Sequence, residues 1–188
     1  MKKLFVTLLI VLCGAVSLYA DDVADVKAVI VRDCEFAAKG DFHSVIARWT
    51  PDYRETSWAG TFGYAQTKRL IISLDGKHPV EYLTTLVMLR NGAEPTPDMA
   101  EKIRQAAQRP EFFERYQDEV KQMADVLKRT AALELKTLKF VNVEVDGDKA
   151  TAVLIYRQAV LDANVCEIVS LRKIDGEWWI ARRVLKKL

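Results

Sequence analysis

Apolar residues near the start of the chain recur every three or four positions, which is the spacing of a helix with one buried face. From Asp22 to Lys39 this spacing predicts a first helix that stops at Gly40. Asp41 is placed to cap a short second helix that runs to about Ala47. The next stretch, TPDYRETSW, mixes polar and apolar residues and predicts an extended strand at the edge or rim of a sheet. The apolar face of the first helix consists of Val23, Val26, Ile30, Cys34 and Ala37.

The middle of the chain, residues 62–136, predicts four further helices. YAQTKRLIISL ends at an Asp-Gly pair, and PVEYLTTLVMLRNG has a proline in its first turn and ends at Asn-Gly. TPDMAEKIRQAAQ follows the same pattern, and Pro110 opens a longer helix. The region contains no repeat and no low-complexity linker, so we expect packed structure.

From Leu138 onward the apolar period changes to two, which predicts strands. LKFVNVEV, KATAVLIYRQ, NVCEIVSLRKI and WWIARRVLKKL alternate, and DGD and DGE supply hairpin turns. These four strands are expected to form an antiparallel meander. The chain as a whole therefore predicts an α+β fold, in which a helical insertion precedes the C-terminal four-stranded meander.

Both faces of the meander carry apolar side chains. In the last strand Trp178, Ile180 and Val184 are predicted to point one way, and Trp179, Ala181 and Leu185 the other. A sheet wetted on one side would show polar residues there, so we expect both faces to be covered. The N-terminal helices suffice for one face. The other face requires the inserted helices or a second subunit, and a homodimer is the preferred expectation.

The first residues, MKKLFVTLLIVLCGAVSLYADD, have the layout of a secretory signal peptide. Two lysines precede an apolar run from Leu4 to Ala20, which is somewhat short for a membrane span. Cleavage is expected after Ala20 or, alternatively, after Ser17. We therefore expect an exported, periplasmic or secreted protein that has no integral membrane span after cleavage. Residues 21–188 are expected to form a single α+β domain.

Charge and motifs exclude several classes of function. Removing residues 1–20 takes away two lysines and no acid, so basic and acidic residues balance in the mature chain. Nucleic-acid binding through the overall electrostatic field of the protein needs excess positive charge, and is not expected.

No phosphate loop, Cys-x-x-Cys, His-Glu-x-x-His or Gly-x-Ser-x-Gly is present, and His43 and His78 do not have the spacing of metal ligands. We expect no metal and no cofactor.

Cys34 and Cys166 remain after signal cleavage, in a compartment where disulfides persist. They are compatible with one disulfide or with two separate buried thiols. The sequence does not decide between these alternatives.

The helix pair ending near TPDY and the meander segments VEVDGDKATAVLIY and EIVSLRKIDGEWWI resemble the nuclear transport factor 2-like (NTF2-like) superfamily, which includes ketosteroid isomerase and polyketide cyclases. The resemblance covers residues 22–58 and 138–188. It implies a cystatin-like cone, in which a curved antiparallel sheet wraps around helices and leaves a pocket at its open end. The helices of residues 62–136 replace most of the family's first hairpin, and are expected to narrow, cover or fill this pocket.

The cone places a set of candidate ligand-binding residues near the pocket mouth. We expect Glu167 to lie on a covered face, either in a salt bridge to Arg157 or Arg182 or with a raised pKa. The preferred function is a non-catalytic module that binds a small apolar ligand or a protein partner. The alternative is an isomerase- or cyclase-like enzyme in which Tyr53, Tyr64 or Glu167 transfers protons. The candidate pocket residues are Trp49, Tyr53, Trp58, Tyr64, Tyr156, Arg157 and Glu167.

Overall fold

The computed structural model describes residues 2–57, 60–91 and 93–188, and side chains from Asp21 onward with the exception of Leu89. Helices occupy the start and the middle of this part of the chain, as the spacing predicts. Asp41 caps α2 by accepting a hydrogen bond from the Ser44 amide at 3.2 Å, and Thr96 caps α5 in the same way. The helices are α1 (Lys2–Lys39), α2 (Phe42–Ile46), α3 (Tyr64–Ser73), α4 (Pro79–Asn91), α5 (Pro97–Ala107) and α6 (Pro110–Thr137).

The strands form one open sheet in the order β2-β1-β6-β5-β4-β3. The predicted meander of β3 to β6 is confirmed, since each of these strands pairs antiparallel with the next. With the helices packed against this sheet, the α+β fold class is confirmed. The strands are β1 (Trp49–Ser57), β2 (Gly60–Gly63), β3 (Lys139–Asp146), β4 (Lys149–Gln158), β5 (Ala163–Ile174) and β6 (Glu177–Lys187).

Two expectations about the first strand are wrong. The sheet is mixed and not purely antiparallel, because β1 pairs parallel with β6. β1 is also not an edge strand, since the short strand β2 lies outside it. The sequence of β2 is only Gly-Thr-Phe-Gly, too short and too glycine-rich to show a strand period.

A β-bulge interrupts the pairing of β6 with β5. Ile180 lies opposite Leu171, but Arg182 lies opposite Ser170, so Ala181 is an extra residue in β6. One extra residue moves every later side chain of the strand to the other face. The regular alternation assumed for this strand therefore holds only as far as the bulge.

The bulge corrects the predicted faces of the last strand. Trp178 and Ile180 are buried on the inner face, as expected, and after the bulge Arg183 is the next buried residue. Leu185 faces the interior with Arg183. Val184 lies on the outer face, so the predicted positions of Val184 and Leu185 are wrong.

The main core lies between α1 and the inner face of the sheet. Val26 and Ile30 of α1 are fully buried against inner-face residues such as Leu154 of β4 and Val169 of β5. Burying a side chain of this size contributes about 1.5–3 kcal/mol. This contact fixes the helix and the sheet relative to each other and so positions the residues between them.

The inserted helices have a smaller core of their own. Tyr116 of α6 is fully buried, and its hydroxyl donates to the Ser73 carbonyl at 2.7 Å and accepts from the His78 amide at 3.1 Å. Tyr82 and Val120 pack in the same cluster. The inserted helices are thus joined to each other and also contact the inner side of the sheet through α3 and α6.

In the structure both cysteines are free thiols. Cys34 is buried on the inner side of α1. Cys166 lies in β5 between Val165 and Glu167, both of which are buried on the inner face, so its thiol points to the outer face. The sheet therefore separates the two sulfurs.

Within the described residues, no helix combines the length and the apolar character that crossing a membrane requires.

Candidate functional site

A cavity of about 590 Å³ lies between α1, the inserted helices and the inner face of the sheet. The helices α1, α2, α3, α4 and α6 and the strands β1, β2, β4, β5 and β6 all contribute to its wall. Most of the wall is apolar. Its apolar residues include Ala37, Phe42, Val45, Phe62, Leu70, Ile71, Leu74, Met88, Leu127, Ala131 and Leu185.

Three of the predicted pocket residues line this cavity, namely Trp49, Tyr156 and Glu167. Tyr53 is fully buried behind Trp49, with the two rings stacked at a centroid distance of 4.1 Å. Its hydroxyl donates to Glu55 at 3.1 Å, and Glu55 does line the cavity. Tyr53 therefore supports the wall from behind.

Two further predicted residues, Tyr64 and Arg157, do not belong to the cavity wall. Tyr64 is half-buried against the main core, next to the ammonium group of Lys68. Arg157 is exposed and forms an ion pair with Asp162 at 2.6 Å. Trp58 lies outside the described residues.

One buried arginine links two carboxylates at the cavity. Arg183 donates to Asp33 of α1 at 2.6 Å and to Glu167 of β5 at 2.8 Å. All three residues are buried, with at most 9% of their surface exposed. The partner of Glu167 is thus neither Arg157 nor Arg182. The salt bridge between Arg183 and Glu167 does join neighbouring strands, β6 and β5, which fits the expectation of a salt bridge rather than an unpaired Glu167.

Two further carboxyl groups, those of Glu55 and Glu134, line the same cavity. With Asp33 and Glu167 they form what we call the acidic cluster. Arg183 is the only basic side chain of the described residues in the cavity wall. Acidic side chains therefore outnumber basic ones in the wall.

Burial shifts the pKa values of these groups. It raises the pKa of Asp33 to about 6, although the charge of Arg183 acts against this shift. It raises the pKa of Glu134 to about 8, with a further contribution from the negative charge of Glu167. The pKa of Glu55 is also raised by burial. Burial alone would lower the pKa of Arg183, but Glu167 and Asp33 outweigh it, and the guanidinium stays charged.

Two buried polar atoms in the wall have no hydrogen-bond partner among the described residues. These are the hydroxyl of Thr130 and the indole N–H of Trp49, in residues that are 7% and 6% exposed. Leaving a buried polar group unpaired costs about 1–3 kcal/mol, so each is expected to have a partner in the working protein. Both residues line the cavity, but with other atoms, since these two polar atoms are themselves closed off from it.

Sequence reasoning missed Asp33, Glu55, Glu134 and Arg183. Asp33 sits beside Cys34 on the buried side of α1, and its position next to an apolar helical face was a usable signal. Glu55 sits in a mixed strand, and the position of Arg183 depends on the bulge. No pattern in the sequence indicates that α6 brings Glu134 to the sheet.

No group of three or more His, Cys, Asp and Glu side chains in the described part of the chain is arranged to hold a metal ion. The arrangement instead offers an apolar chamber with hydrogen-bonding and ionisable groups on part of its wall.

Fold and site together define an α+β protein with a partly open cavity that carries an acidic cluster. Comparison with protein-family models gave no match, and comparison with curated proteins gave none either.

Among solved structures, similar chains include an NTF2-like protein with a cystatin-like fold from Novosphingobium aromaticivorans, at 17% identity, 94% coverage of this chain, 88% of the other and a TM-score of 0.48. An NTF2-like protein of unknown function from Silicibacter pomeroyi has 12% identity, 90% and 98% coverage and a TM-score of 0.46. An NTF2-like protein of unknown function from Shewanella baltica has 10% identity, 90% and 96% coverage and a TM-score of 0.44. The superfamily in these descriptions is the one that the sequence resembles.

Proposed function

We propose that the mature chain is an exported, non-catalytic protein that binds a small, largely apolar ligand in the cavity. The observation that carries this proposal is the cavity of about 590 Å³ and its largely apolar wall. Protein interiors normally keep few voids larger than a water molecule. Small-molecule sites, in contrast, span about 300–1,000 Å³ and combine apolar walls with a few polar groups.

Export is the second part of the proposal, and it is supported by the sequence of residues 1–20. Signal cleavage near Ala20 would leave α1 to begin close to Asp21. Val26, Ile30 and Asp33, which are buried positions of α1, follow that point and would remain in the mature chain. The intact mass of the protein recovered from an expressing cell's envelope or medium would show whether the first residues are removed.

The catalytic alternative has less support from this geometry. Tyr53 is covered by Trp49, Tyr64 lies outside the cavity wall, and Glu167 is held by Arg183. Burial raises the pKa values of Tyr53 and Tyr156, which keeps both phenols protonated near neutral pH.

Filling the cavity tests the proposal. Ala131 of α6 is buried in the wall, and its neighbour Ala132 is exposed. We expect Ala131→Trp to reduce binding of a neutral naphthalene-type fluorescent probe at least tenfold, because the indole occupies the space that the probe needs. Ala132→Trp makes the same change on the solvent side and should bind the probe like the unchanged protein.

Circular dichroism and thermal melting would verify that both variants are folded, since overpacking costs about 1–3 kcal/mol. Should Ala131→Trp not fold, Leu127→Trp provides a milder change, because Leu127 lines the cavity but is 37% exposed. Equal probe binding by the inner and outer variants would contradict the proposal.

A further inference from the structure

The cavity wall carries more acidic than basic side chains. This excess favours a positively charged group on a ligand. The four carboxyl groups of the acidic cluster face one guanidinium group. Arg183 already donates to Asp33 and to Glu167, at 2.6 and 2.8 Å. Its positive charge is therefore shared between two carboxylates.

Glu55 and Glu134 have no arginine or lysine partner among the described residues. Glu55 accepts one hydrogen bond, from the neutral hydroxyl of Tyr53. The Glu134 carboxyl group has no hydrogen-bond or ion-pair partner within the described ranges, although Glu134 lines the cavity. Both residues are partly buried, and carboxylates that are largely withdrawn from water are normally paired with a cation, since desolvation of an unpaired charge is costly.

A second observation comes from the same helix. Thr130 lies one turn before Glu134, so the two side chains share one face of α6. Thr130 is 7% exposed, lines the cavity and leaves its hydroxyl oxygen unpaired. Because the Thr130 oxygen is closed off from the cavity, the Glu134 carboxylate is the acceptor on this helical face that a donor in the cavity meets.

The nearby aromatic rings fit a positive charge as well. Trp49 and Tyr156 both line the cavity. Cations are attracted to the faces of such rings, and more strongly where water is excluded. An anionic ligand would meet the acidic cluster without a free guanidinium, and a neutral ligand would leave Glu134 unpaired.

We propose that the cavity binds an amphiphilic amine, with the apolar body against the apolar wall and a primary or secondary ammonium group donating to the Glu134 carboxylate. This inference rests on the proposed function and adds the charge class of the ligand.

The proposal implies that binding is linked to a proton. Burial and the surrounding carboxylates raise the pKa of Glu134 to about 8, so the free protein holds a proton there at neutral pH. An ammonium group would replace that proton and release it. The affinity for an amine should then fall about tenfold for each pH unit below 8 and level off above it. The groups that face Glu134 from the packed elements are Asp33 and Cys34 of α1, Glu55 of β1, Tyr156 of β4, Glu167 of β5 and Arg183 of β6.

The test uses three probes with one apolar body: 4-phenylbutylamine, 4-phenylbutanol and 4-phenylbutyrate. Isothermal titration calorimetry at pH 8.5 is expected to give an affinity for the amine at least tenfold above that for the alcohol, with the acid weakest. Titrations of the amine at pH 7 in buffers of different ionisation enthalpy should show release of close to one proton per molecule bound.

Two matched variants test whether the preference for the amine depends on Glu134. Glu134→Gln removes the carboxylate and keeps the shape, so the preference for the amine and the proton release should be lost while alcohol binding stays. Glu114→Gln, an exposed position on the same helix, should behave like the unchanged protein.

The possible results separate the two proposals. Equal affinities for the amine and the alcohol, or an unchanged amine preference in Glu134→Gln, would overturn the ammonium proposal and leave ligand binding standing. Failure of all three probes to bind would overturn both.

Discussion

Arg183 is the residue on which the inner wall of the cavity depends. It joins α1 to the sheet through Asp33 and joins β6 to β5 through Glu167, and all three side chains are buried. Removing one member of a buried ion-pair group leaves the other charges uncompensated, which typically costs about 3–5 kcal/mol. The three residues thus act as one unit.

A lysine at position 183 tests this unit. Arg183→Lys keeps the charge but loses the two-armed geometry that reaches both carboxylates, so we expect a loss of about 2–4 kcal/mol in the free energy of unfolding. Urea unfolding at pH 7 measures it. Arg182→Lys, at the exposed neighbouring position, should change stability by less than about 0.5 kcal/mol. Similar losses in the two variants would show that the buried bridges add little.

At the residue scale, the sequence predicts part of the cavity wall. Trp49, Tyr156 and Glu167 stand out because aromatic or charged side chains fall at covered strand positions. The missing members depend on contacts that no local pattern encodes. Glu134 looks like any charged residue of an amphipathic helix until α6 packs against β4, and Arg183 looks exposed until the bulge at Ala181 reverses its face.

The elements themselves are well predicted where a local signal marks their ends. Gly40 is one such signal. It ends α1 in a left-handed conformation with φ of 79°, and the amides of Gly40 and Asp41 return to the carbonyls of Ala37 and Phe36. The turn sets the direction of α2, which brings Phe42 and Val45 to the cavity.

Gly40→Ala tests the importance of this turn. We expect a loss of about 1 kcal/mol, because alanine is strained at a positive φ. A Cβ at this position would also lie 3.1 Å from the Lys128 side chain, which is flexible enough to move. Gly63→Ala is the matched control, since Gly63 has a φ of −91° and its Cβ would have room. Thermal melting distinguishes the two, and an equal effect at both sites would contradict this explanation.

The sequence contains no local signal for elements that are stabilised by strands distant in the chain. β2 is four residues long and is stabilised by its pairing with β1, and the parallel contact of β1 with β6 joins opposite ends of the chain. Period and turn chemistry describe neighbours in sequence, so such pairings become visible only in the folded chain.

At the scale of the whole molecule, the outer face of the sheet remains to be explained. Val153, Ile168 and Val184 lie side by side on three adjacent strands of this face and are only half-buried. The inserted helices contribute to the cavity on the inner side instead. We therefore propose that a second copy of the chain covers the outer face, as the alternation of the strands led us to expect.

Light scattering coupled to size exclusion tests the homodimer. The unchanged protein should have twice the mass of one chain, and Ile168→Glu should have the mass of one, because a charge in the centre of the face opposes association. Val160→Glu, at a position 64% exposed in the turn after β4, should remain dimeric. A single-chain mass for the unchanged protein would refute this expectation.

The cavity between the helices and the sheet is the feature on which the functional account depends. Its most direct test is a crystal structure of the mature protein grown with 4-phenylbutanol, a neutral probe that does not require the acidic cluster. The account predicts one alcohol molecule enclosed between Trp49, Ala131 and Tyr156, with the inserted helices in place. Helices closed onto the sheet with no space between them, or alcohol bound solely on the outer face, would contradict it.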